Sequence, residues 1–318
     1  MSFQDRLPLS RSAVDRDGLG RERPDLLESL WLDSATRILL LRGRRALVHA
    51  DTQPPVLQLL RPADVPVDAP RFYLGRTRES SVDGPAGIPV VAVQLDEQAG
   101  AALAAGDDRW ADLRFTGAQL NDRDAGLFTQ ALALANWHAA HSFSPRTGAP
   151  TVVGRAGWVR HPEGFDDEAS GEHVFPRTDP AVIVGVVDEH DRILLASNVA
   201  WPEDRFSVLA GFVEPGESFE AAVEREVAEE SGVLVTGTTY LGSQPWPFPA
   251  SIMIGFLAEA APGQPTPVAD GGEIREVRWF SRDELVAAID GGLHLPGHTS
   301  IARAIIEHWY GGRLEGDW

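Results

Sequence analysis

The segment that decides the fold reads Gly211-Phe-Val-Glu-Pro-Gly-Glu-Ser-Phe-Glu-Ala-Ala-Val-Glu-Arg-Glu-Val-Ala-Glu-Glu-Ser-Gly-Val233. Its apolar spacing predicts a helix over Phe219–Ser231, with a glycine just beyond the helix end. Gly211, Pro215 and Gly216 come before this helix, and such residues are typical of a tight loop. The segment therefore predicts a strand, a tight loop and a helix in succession.

The predicted helix carries three glutamates on one face. Glu226, Glu229 and Glu230 lie three and four positions apart, and this spacing aligns side chains along a helix. Like charges repel at this distance, and a hard divalent cation with carboxylate ligands would offset the repulsion. Arg225 can pair with a nearby carboxylate such as Glu217 and so orient the group. A solvated acidic helix face is the alternative that three glutamates alone leave open.

The composition is that of a globular protein with an acidic surface. The chain has 318 residues, 43% apolar and 24% charged. Its length suits two domains of about 150 residues each. The 28 basic residues against 47 acidic ones give a net charge of −19, which opposes non-specific binding to DNA or RNA phosphates. Cysteine is absent, so disulfides, thiolate nucleophiles, iron–sulfur clusters and cysteine-ligated zinc are excluded.

The sequence shows no sign of a secreted or membrane protein. Residues 1–10 contain no cationic segment followed by an apolar run. No stretch reaches the roughly 18 consecutive apolar residues that a membrane span needs. We therefore expect a cytoplasmic protein with no membrane partner.

Short apolar runs alternate with turn-forming residues in the first part of the chain, which is typical of strands. The predicted strands span residues 37–41, 45–49, 56–60, 71–74 and 88–95. A helix that starts at Asn121 or Asp122 closes this mainly β module. Residues 141–180 are rich in His, Pro, Gly, Asp and Glu, which predicts a connector with little core of its own.

A second module, with both helices and strands, begins near residue 177. A β-hairpin is predicted at 181–187 and 192–196, and further strands at 207–210, 252–258 and 277–280. Ser281-Arg-Asp-Glu284 has the form of a capping box before a helix over 285–289, and Thr299 is the predicted cap of a helix over Ser300–Tyr310. The predicted fold class is α+β, with domains at 1–140 and 177–318 and a connector at 141–176.

The helical segment resembles the signature of the Nudix hydrolase superfamily. That signature is Gly, five residues, Glu, seven residues, and then Arg-Glu-apolar-any-Glu-Glu-any-Gly-apolar. The residues from Gly211 to Val233 satisfy every constrained position. The resemblance implies an α/β/α sandwich. It also implies attack of water, dependent on Mg²⁺ or Mn²⁺, on a nucleoside diphosphate linked to another group.

A second motif, Ser243-Gln-Pro-Trp-Pro-Phe-Pro-Ala-Ser251, follows the helix. Its prolines restrict the backbone and lower the entropy lost on ordering a loop, and its rings offer flat faces to a base. A polyproline linker is the alternative for the motif alone. In a Nudix protein the motif resembles the SQPWPFPxS motif of the NADH pyrophosphatase family.

That family resemblance implies a homodimer that hydrolyses NAD(H) to AMP and nicotinamide mononucleotide. The same cleavage would remove an NAD cap from an RNA 5′ end, because the diphosphate is identical. One alternative is a Nudix hydrolase of ADP-ribose or another nucleotide sugar. The other is a non-catalytic nucleotide sensor, which would be expected to have lost helix carboxylates that this chain keeps. We expect no DNA partner.

The resemblance also assigns roles to individual residues. The family's metal-binding positions match Glu226, Glu229, Glu230 and, through its backbone carbonyl, Ala210. Glu273 matches a further metal carboxylate, with Glu276 as the competing choice. Together with Arg225, the helix glutamates are the implied catalytic residues, and Glu229 is the candidate general base, although the base moves between helix and loops in this superfamily. The substrate-binding positions match Arg114, Phe175, Phe212, Gln244, Pro245, Trp246, Pro247, Phe248, Pro249, Ala250, Ser251 and Ala302.

The connector resembles a zinc ribbon that has lost its ligands. In the stretch from His141 to Pro150, Ser144 and Thr147 stand where the family has cysteines. The second cysteine pair is missing from residues 158–173. The side chains that could replace it have a spacing that fits no zinc template, and they are His161, Asp166, Asp167, Glu168 and His173. We therefore expect a degenerate ribbon without structural Zn²⁺.

Overall fold

The computed structural model describes residues 2–65, 69–104, 109–164, 172–264 and 266–316. The chain forms two compact units. The N-terminal unit contains Arg11–Thr178 and Trp246–Ala250, and the C-terminal unit contains Met1–Ser10, Asp179–Pro245 and Ser251–Trp318. Each unit thus combines segments that are distant in the sequence. Within the described ranges, no helix is both long and apolar enough to cross a membrane.

The N-terminal unit is built on a six-stranded sheet with the order β1-β4-β5-β2-β3-β6. Strands β2 and β5 are parallel, and the other neighbours are antiparallel. A separate antiparallel hairpin joins β7 and β8. The elements are β1 (Val14–Asp15), α1 (Leu26–Leu32), β2 (Arg37–Arg42), β3 (Arg45–Leu47), β4 (Arg71–Thr77), β5 (Pro89–Leu95), α2 (Glu97–Leu103), β6 (Trp110–Asp112), α3 (Leu113–Thr116), α4 (Asp122–Ala140), β7 (Thr151–Gly154) and β8 (Val159–Pro162).

The middle of this sheet is apolar on both faces. Residues 38–41 of β2 and 89–93 of β5 are apolar and buried without interruption, which is typical of parallel strands that are covered on both sides. Helix α4 starts where the sequence predicts, and the side chain of its cap Asn121 accepts the N–H of Asp124 at 2.9 Å. The predicted mainly β module closed by a helix is therefore confirmed.

Residues 56–60 do not form the predicted strand. They meet the rest of the unit through single bridges, Leu57 with Val48 and Leu60 with Ile38. The N–H of Leu57 instead donates to the buried carboxylate of Asp124 at 2.9 Å. The Asp124 side chain thus replaces one backbone hydrogen bond that a neighbouring strand would make. The sequence pattern does not reveal this replacement.

The C-terminal unit has a mixed sheet with the order β12-β13-β9-β10-β14, and β11 also pairs with β9. Strand β9 runs parallel to β13 and antiparallel to β10 and β11. The elements are β9 (Asp179–Val187), β10 (Ile193–Asn198), β11 (Leu209–Phe212), α5 (Phe219–Ser231), β12 (Val235–Trp246), β13 (Ser251–Ala260), β14 (Ile274–Phe280), α6 (Arg282–Asp290) and α7 (Ile301–Tyr310). Of these elements, β12 is the one that the sequence analysis does not predict.

Alternation along β9 directs side chains into two separate cores. On one face, Val182, Val184 and Val186 pack against the buried side of α5. On the other face, Ile183 packs with Ile305 of α7 and Leu285 of α6. The sheet therefore lies between two helical layers. This is the expected α/β/α sandwich, and the predicted fold class is confirmed.

Two predicted helix starts have different outcomes. Helix α6 has the predicted capping box, in which Ser281 Oγ accepts the N–H of Glu284 at 3.3 Å and the Glu284 carboxylate accepts the N–H of Ser281 at 2.8 Å. The cap of α7 is Ser300, so the prediction of Thr299 is wrong by one residue. Ser300 Oγ accepts the N–H of Ala302 at 3.2 Å, whereas Thr299 is buried.

Candidate active site

Helix α5 holds the three predicted carboxylates in fixed orientations. It begins after Ser218, whose Oγ accepts an N–H of the first turn at 3.1 Å, and it ends at Gly232, which has a left-handed φ of 70°. Glu229 is exposed, Glu226 is half-buried and Glu230 is only 6% exposed. The carboxylates therefore extend from solvent into the interior of the unit.

Arg225 connects these carboxylates with the loop before the helix. It donates to both oxygens of Glu217, at 2.8 and 2.9 Å, as the sequence predicts. It also donates to Glu226 at 2.8 Å, to Glu229 at 3.1 Å and to the carbonyl of Phe212 at 3.0 Å. The hydrogen bonds from Arg225 are the main reason that the pKa of Glu217 falls to about 2. One arginine thus ties strand β11, the loop and the helix together.

Gly211 is required by close packing and not by a tight turn. It lies in β11 opposite Val182, outside the predicted loop, which begins only after the strand. A Cβ at Gly211 would lie 1.9 Å from the carboxyl carbon of Glu226. Only glycine leaves room for this carboxylate beside the strand. Gly216, with a φ of 93°, does occupy the predicted turn.

Glu230 is the most perturbed acid of the group. Burial is the main cause that raises its pKa to about 8, and the charges of Glu226, Glu273, Asp270 and Glu229 add to the shift. Its Oε2 is buried and has no hydrogen-bond partner among the described residues. A buried charged oxygen without a partner costs free energy, so this carboxylate is expected to attract a proton or a cation.

The structure distinguishes the two candidates for the additional acidic ligand. Burial raises the pKa of Glu226, and the charge of Glu273 contributes further, which places Glu273 within electrostatic reach of the helix. The Glu273 carboxylate also accepts a hydrogen bond from Asn198 at 3.3 Å. Glu276 pairs with Arg278 at 3.0 Å. These observations favour Glu273 over Glu276, and its role as a metal ligand stays a prediction.

Asp270 is a site residue that the sequence reasoning missed. Its carboxylate accepts the N–H of Glu273 at 3.1 Å and that of Ile274 at 2.7 Å, which shapes the loop before β14. Its charge also contributes to the raised pKa of Glu230. The signal was present in the sequence, because an Asp followed by two glycines is typical of a turn closed by the Asp side chain.

The chemistry of these donors suits a hard divalent cation. Carboxylate oxygens are the ligands that Mg²⁺ and Mn²⁺ prefer, and the unpartnered Oε2 of Glu230 is such a donor. In the part of the chain that the structure describes, no three His, Cys, Asp or Glu side chains are grouped as a metal centre. Arg225 occupies oxygens of Glu226 and Glu229. A cation on this face would therefore compete with Arg225.

The proline-rich motif is part strand and part turn, and not a loop throughout. Strand β12 continues through Trp246, and β13 starts at Ser251, so only the four residues between them form a turn. Within the N-terminal unit, the rings of Trp246 and Phe248 meet edge to face with centroids 4.8 Å apart. The guanidinium of Arg114 lies 4.7 Å from the Phe248 ring and 5.6 Å from that of Trp246. Arg114 is thus brought to the motif, as its predicted binding role requires.

Gln244 serves as a buried connection inside the C-terminal unit. Its side chain is fully buried, its Oε1 accepts the N–H of Leu9 at 3.2 Å, and its Nε2 donates to the carbonyl of Thr299 at 3.0 Å. Both ends of the amide are therefore engaged. A direct contact of this residue with substrate stays a prediction.

Comparison with known proteins agrees with these features. The NUDIX domain model matches residues 176–303, and the model of the NADH pyrophosphatase-like rudimentary NUDIX domain matches residues 35–137. The NAD-capped RNA hydrolases NudC of Mycobacterium bovis and Mycobacterium tuberculosis are 40% identical over 321 residues, covering 95% of this chain and 94% of theirs. The chain belongs to the NADH pyrophosphatase family of Nudix hydrolases. The NAD-capped RNA hydrolase NUDT12 of Homo sapiens is 38% identical over 199 residues, which are 60% of this chain and 43% of NUDT12.

The remaining substrate positions predicted for a Nudix hydrolase of this family differ in exposure. Phe212 at the end of β11 is 61% exposed, as a ring that stacks on a substrate must be. Phe175 is 59% exposed, and its ring lies 5.8 Å from that of His173. Ala302 is 2% exposed, so its side chain belongs to the core around α7. The binding roles of all three stay predictions.

The segment predicted to be a degenerate ribbon contains a turn closed by hydrogen bonds. Ser144 Oγ accepts the N–H groups of Arg146 and Thr147, both at 3.3 Å, and the N–H of Ser144 donates to the carbonyl of Ala149 at 2.8 Å. The Ser144 hydroxyl therefore organises this turn. Three of the predicted substitute ligands, Asp166, Asp167 and Glu168, lie outside the described residues. The expectation of no structural Zn²⁺ stays a prediction.

Proposed function

We propose that this protein hydrolyses the diphosphate of NAD(H) to AMP and nicotinamide mononucleotide with Mg²⁺ or Mn²⁺. The observation that carries the proposal is the α5 constellation, in which Arg225 orients carboxylates around the buried acid Glu230. The relatives described as NAD-capped RNA hydrolases support the same substrate class, because an NAD cap contains this diphosphate.

The residues in and near α5 would have different roles in hydrolysis. When bound, divalent ions would neutralise the diphosphate and lower the pKa of water. Glu226, Glu229, Glu230, Glu273 and the carbonyl of Ala210 would hold them. Arg225 keeps the helix carboxylates in position through its hydrogen bonds. Glu229 is our candidate for the general base, because its carboxylate is exposed to solvent water.

Specificity for a dinucleotide would come from aromatic rings. Trp246, Phe248 and Phe212 present faces on which a base or nicotinamide ring can stack, and such stacking is favourable for flat heterocycles. Two prolines in the turn limit its conformations, so little entropy is lost on binding. ADP-ribose and other nucleotide sugars, the substrates of the alternative, lack a second heterocycle that could stack on such a ring.

We also propose that the enzyme removes NAD caps from RNA 5′ ends. The specific support is that relatives which match 95% of the chain are NAD-capped RNA hydrolases. The acidic composition argues against broad affinity for the RNA body. Recognition would therefore centre on the cap itself.

Product analysis distinguishes the candidate functions. Purified protein with Mg²⁺ or Mn²⁺ is incubated separately with NADH, NAD⁺, ADP-ribose and NAD-capped RNA. We expect nicotinamide mononucleotide from NAD(H) and 5′-monophosphorylated RNA from capped RNA. Preferential cleavage of ADP-ribose would favour the nucleotide-sugar alternative, and binding of NAD(H) without cleavage would favour the sensor.

The oligomeric state and cellular location complete the proposal. We propose a homodimer in the cytoplasm, and the dimer is what the family resemblance leads us to expect. Light scattering coupled to size-exclusion chromatography measures the oligomeric state, and a monomeric mass would contradict the proposed dimer. Cell fractionation tests the cytoplasmic location, and recovery of the protein in another fraction would contradict it.

A further inference from the structure

The turn of the proline-rich motif is organised by the N-terminal unit. Residues Trp246–Ala250 belong to the same compact unit as Arg11–Thr178, although the segments on both sides of them belong to the other unit. The proposed function gives this turn the task of recognising a dinucleotide. The residues that hold the turn would then determine how well the substrate binds.

Asn136 of α4 makes two hydrogen bonds to the turn. Its Nδ2 donates to the carbonyl of Pro247 at 2.9 Å and to that of Pro249 at 3.1 Å. A carboxamide nitrogen carries two hydrogens, so it can serve both acceptors at once. Both partners are carbonyls, so only the nitrogen end of the amide fits this position.

The turn depends on an outside donor because of its own composition. Pro247 and Pro249 have no backbone N–H, so few internal hydrogen bonds can fix its shape. The described contact inside the turn is the bond from the N–H of Phe248 to the carbonyl of Trp246 at 2.7 Å. Asn136 binds the carbonyls on both sides of Phe248 and so constrains the direction of its ring.

The helix that carries Asn136 is largely buried and therefore holds this side chain firmly. Helix α4 spans 19 residues and buries most of them, including Ala135 and Trp137 on either side of Asn136. A functional group on a buried helix is held more firmly than one on a loop. Arg114 contacts the same turn from a second element, since its guanidinium lies over the Phe248 ring.

We propose that Asn136 is a positioning residue that fixes the turn at residues 247–250 in the shape that receives the dinucleotide. Asn136 would thereby affect substrate affinity without contributing to bond cleavage. This inference rests on the proposed function for the identity of the substrate. It predicts an effect on KM that is separate from kcat.

Steady-state kinetics with NADH test this split. Asn136→Asp keeps the shape of the side chain, removes the donor and sets a charged oxygen against two carbonyls. We expect KM to rise roughly tenfold or more, because two hydrogen bonds are lost. We expect kcat to stay within about twofold, because the α5 residues are untouched. Asn136→Gln, which keeps the donor, should recover part of the affinity.

Ala139→Asp is the matched control. This exposed position lies in the last turn of α4, so the variant adds the same charge to the same helix. It should leave both constants near those of the unchanged protein. An equal rise in KM for Ala139→Asp, or an unchanged KM for Asn136→Asp, would overturn the inference.

Hydrogen exchange gives a readout that does not depend on activity. Deuterium uptake in a peptide covering residues 244–251 should increase in Asn136→Asp and remain unchanged in Ala139→Asp. Unchanged uptake in Asn136→Asp would overturn the inference even if the enzyme is active. If uptake increases but the unchanged protein leaves NADH intact, the proposed function fails while Asn136 still holds the turn.

Discussion

Glu230 and Gly211 show how much of the site depends on single residues. Glu230 places a carboxylate in the interior of the C-terminal unit with one oxygen unpartnered among the described residues. Gly211 contributes by lacking a side chain, because the space beside it is filled by the carboxylate of Glu226. The buried carboxylate of Glu230 is electrostatically unfavourable, whereas the missing side chain of Gly211 avoids a steric clash with Glu226. Each has a specific consequence when it is changed.

Gly211→Ala should reduce activity without unfolding the protein. The new methyl group would displace the Glu226 carboxylate, and a shift of a catalytic group by about 1 Å can lower the rate roughly a hundredfold. The measurement is kcat/KM for NADH together with the thermal midpoint. Gly237→Ala is the control, because a Cβ there meets nothing within 4 Å. Full activity in Gly211→Ala would contradict the packing described for Glu226.

Glu230 should make stability fall as pH rises in the absence of divalent ions. Its pKa is about 8 in the folded protein, above the usual carboxyl value, so the folded state binds the proton more tightly than the unfolded state. Stability from this group is therefore complete below the unfolded pKa and is lost as pH rises to about 8. Glu230→Gln removes this dependence and should melt at a higher temperature than the unchanged protein near pH 8.

Thermal melts with a chelator between about pH 5 and pH 8 measure this effect. Glu224→Gln on the exposed side of the same helix is the matched control and should follow the unchanged protein. Parallel curves for Glu230→Gln and the unchanged protein would show that the buried carboxylate is not protonated in the folded state.

At the scale of secondary structure, local features were predictable and long-range ones were not. The spacing of Glu226, Glu229 and Glu230 and the pairing of Arg225 lie within one short segment, where helix geometry alone places side chains. The hydrogen bonds from Asn136 to the turn join residues that are 111 and 113 positions apart. Such contacts depend on how elements pack, which periodicity does not report.

The differences between the sequence predictions and the structure have two origins, a weak local pattern and long-range contacts. The missed strand β12 has a largely exposed, polar start, so its apolar pattern is weak. The predicted strand at 56–60 fails because Asp124, far along the chain, binds the N–H of Leu57. The sequence assigns Gln244 to the substrate motif, and the structure adds that Leu9 and Thr299 engage both ends of its amide. Its contact with substrate stays a prediction.

Arg225→Lys tests whether helix α5 acts as a unit with the loop before it. Lysine keeps the charge but cannot form the two parallel hydrogen bonds to Glu217 while also reaching Glu226 and Glu229. We expect kcat to fall by about one to two orders of magnitude while the protein remains folded. Arg192→Lys, at an ion pair in the β9–β10 hairpin, should change activity little. Retention of kcat in Arg225→Lys would show that charge alone suffices.

At the scale of the whole molecule, charge is distributed unevenly. The segments of the C-terminal unit contain 9 arginines and 24 acidic residues, a net charge of −15, whereas those of the N-terminal unit contain 19 and 23, a net charge of −4. The unit that carries the α5 carboxylates therefore repels anionic substrates most strongly. Divalent ions and ionic strength should control the approach of the substrate.

Salt should accelerate cleavage of NAD-capped RNA at low ionic strength. Screening weakens the repulsion between an acidic protein and a polyanion, so kcat/KM should rise as NaCl increases from about 10 to about 150 mM. The increase should be larger for capped RNA than for NADH, because RNA carries more phosphates. A steep fall in kcat/KM for capped RNA would indicate that the protein binds the RNA body through its arginines.

The central claim is that this chain cleaves the diphosphate of NAD(H) with the carboxylates of α5. The most direct measurement is quantitative product analysis after incubation of NADH and Mg²⁺ with the unchanged protein, Glu230→Gln and the control Glu224→Gln. The account predicts equal amounts of AMP and reduced nicotinamide mononucleotide from the unchanged protein and the control, and almost none from Glu230→Gln. Intact NADH with all three folded proteins, or equal cleavage by Glu230→Gln, would contradict it.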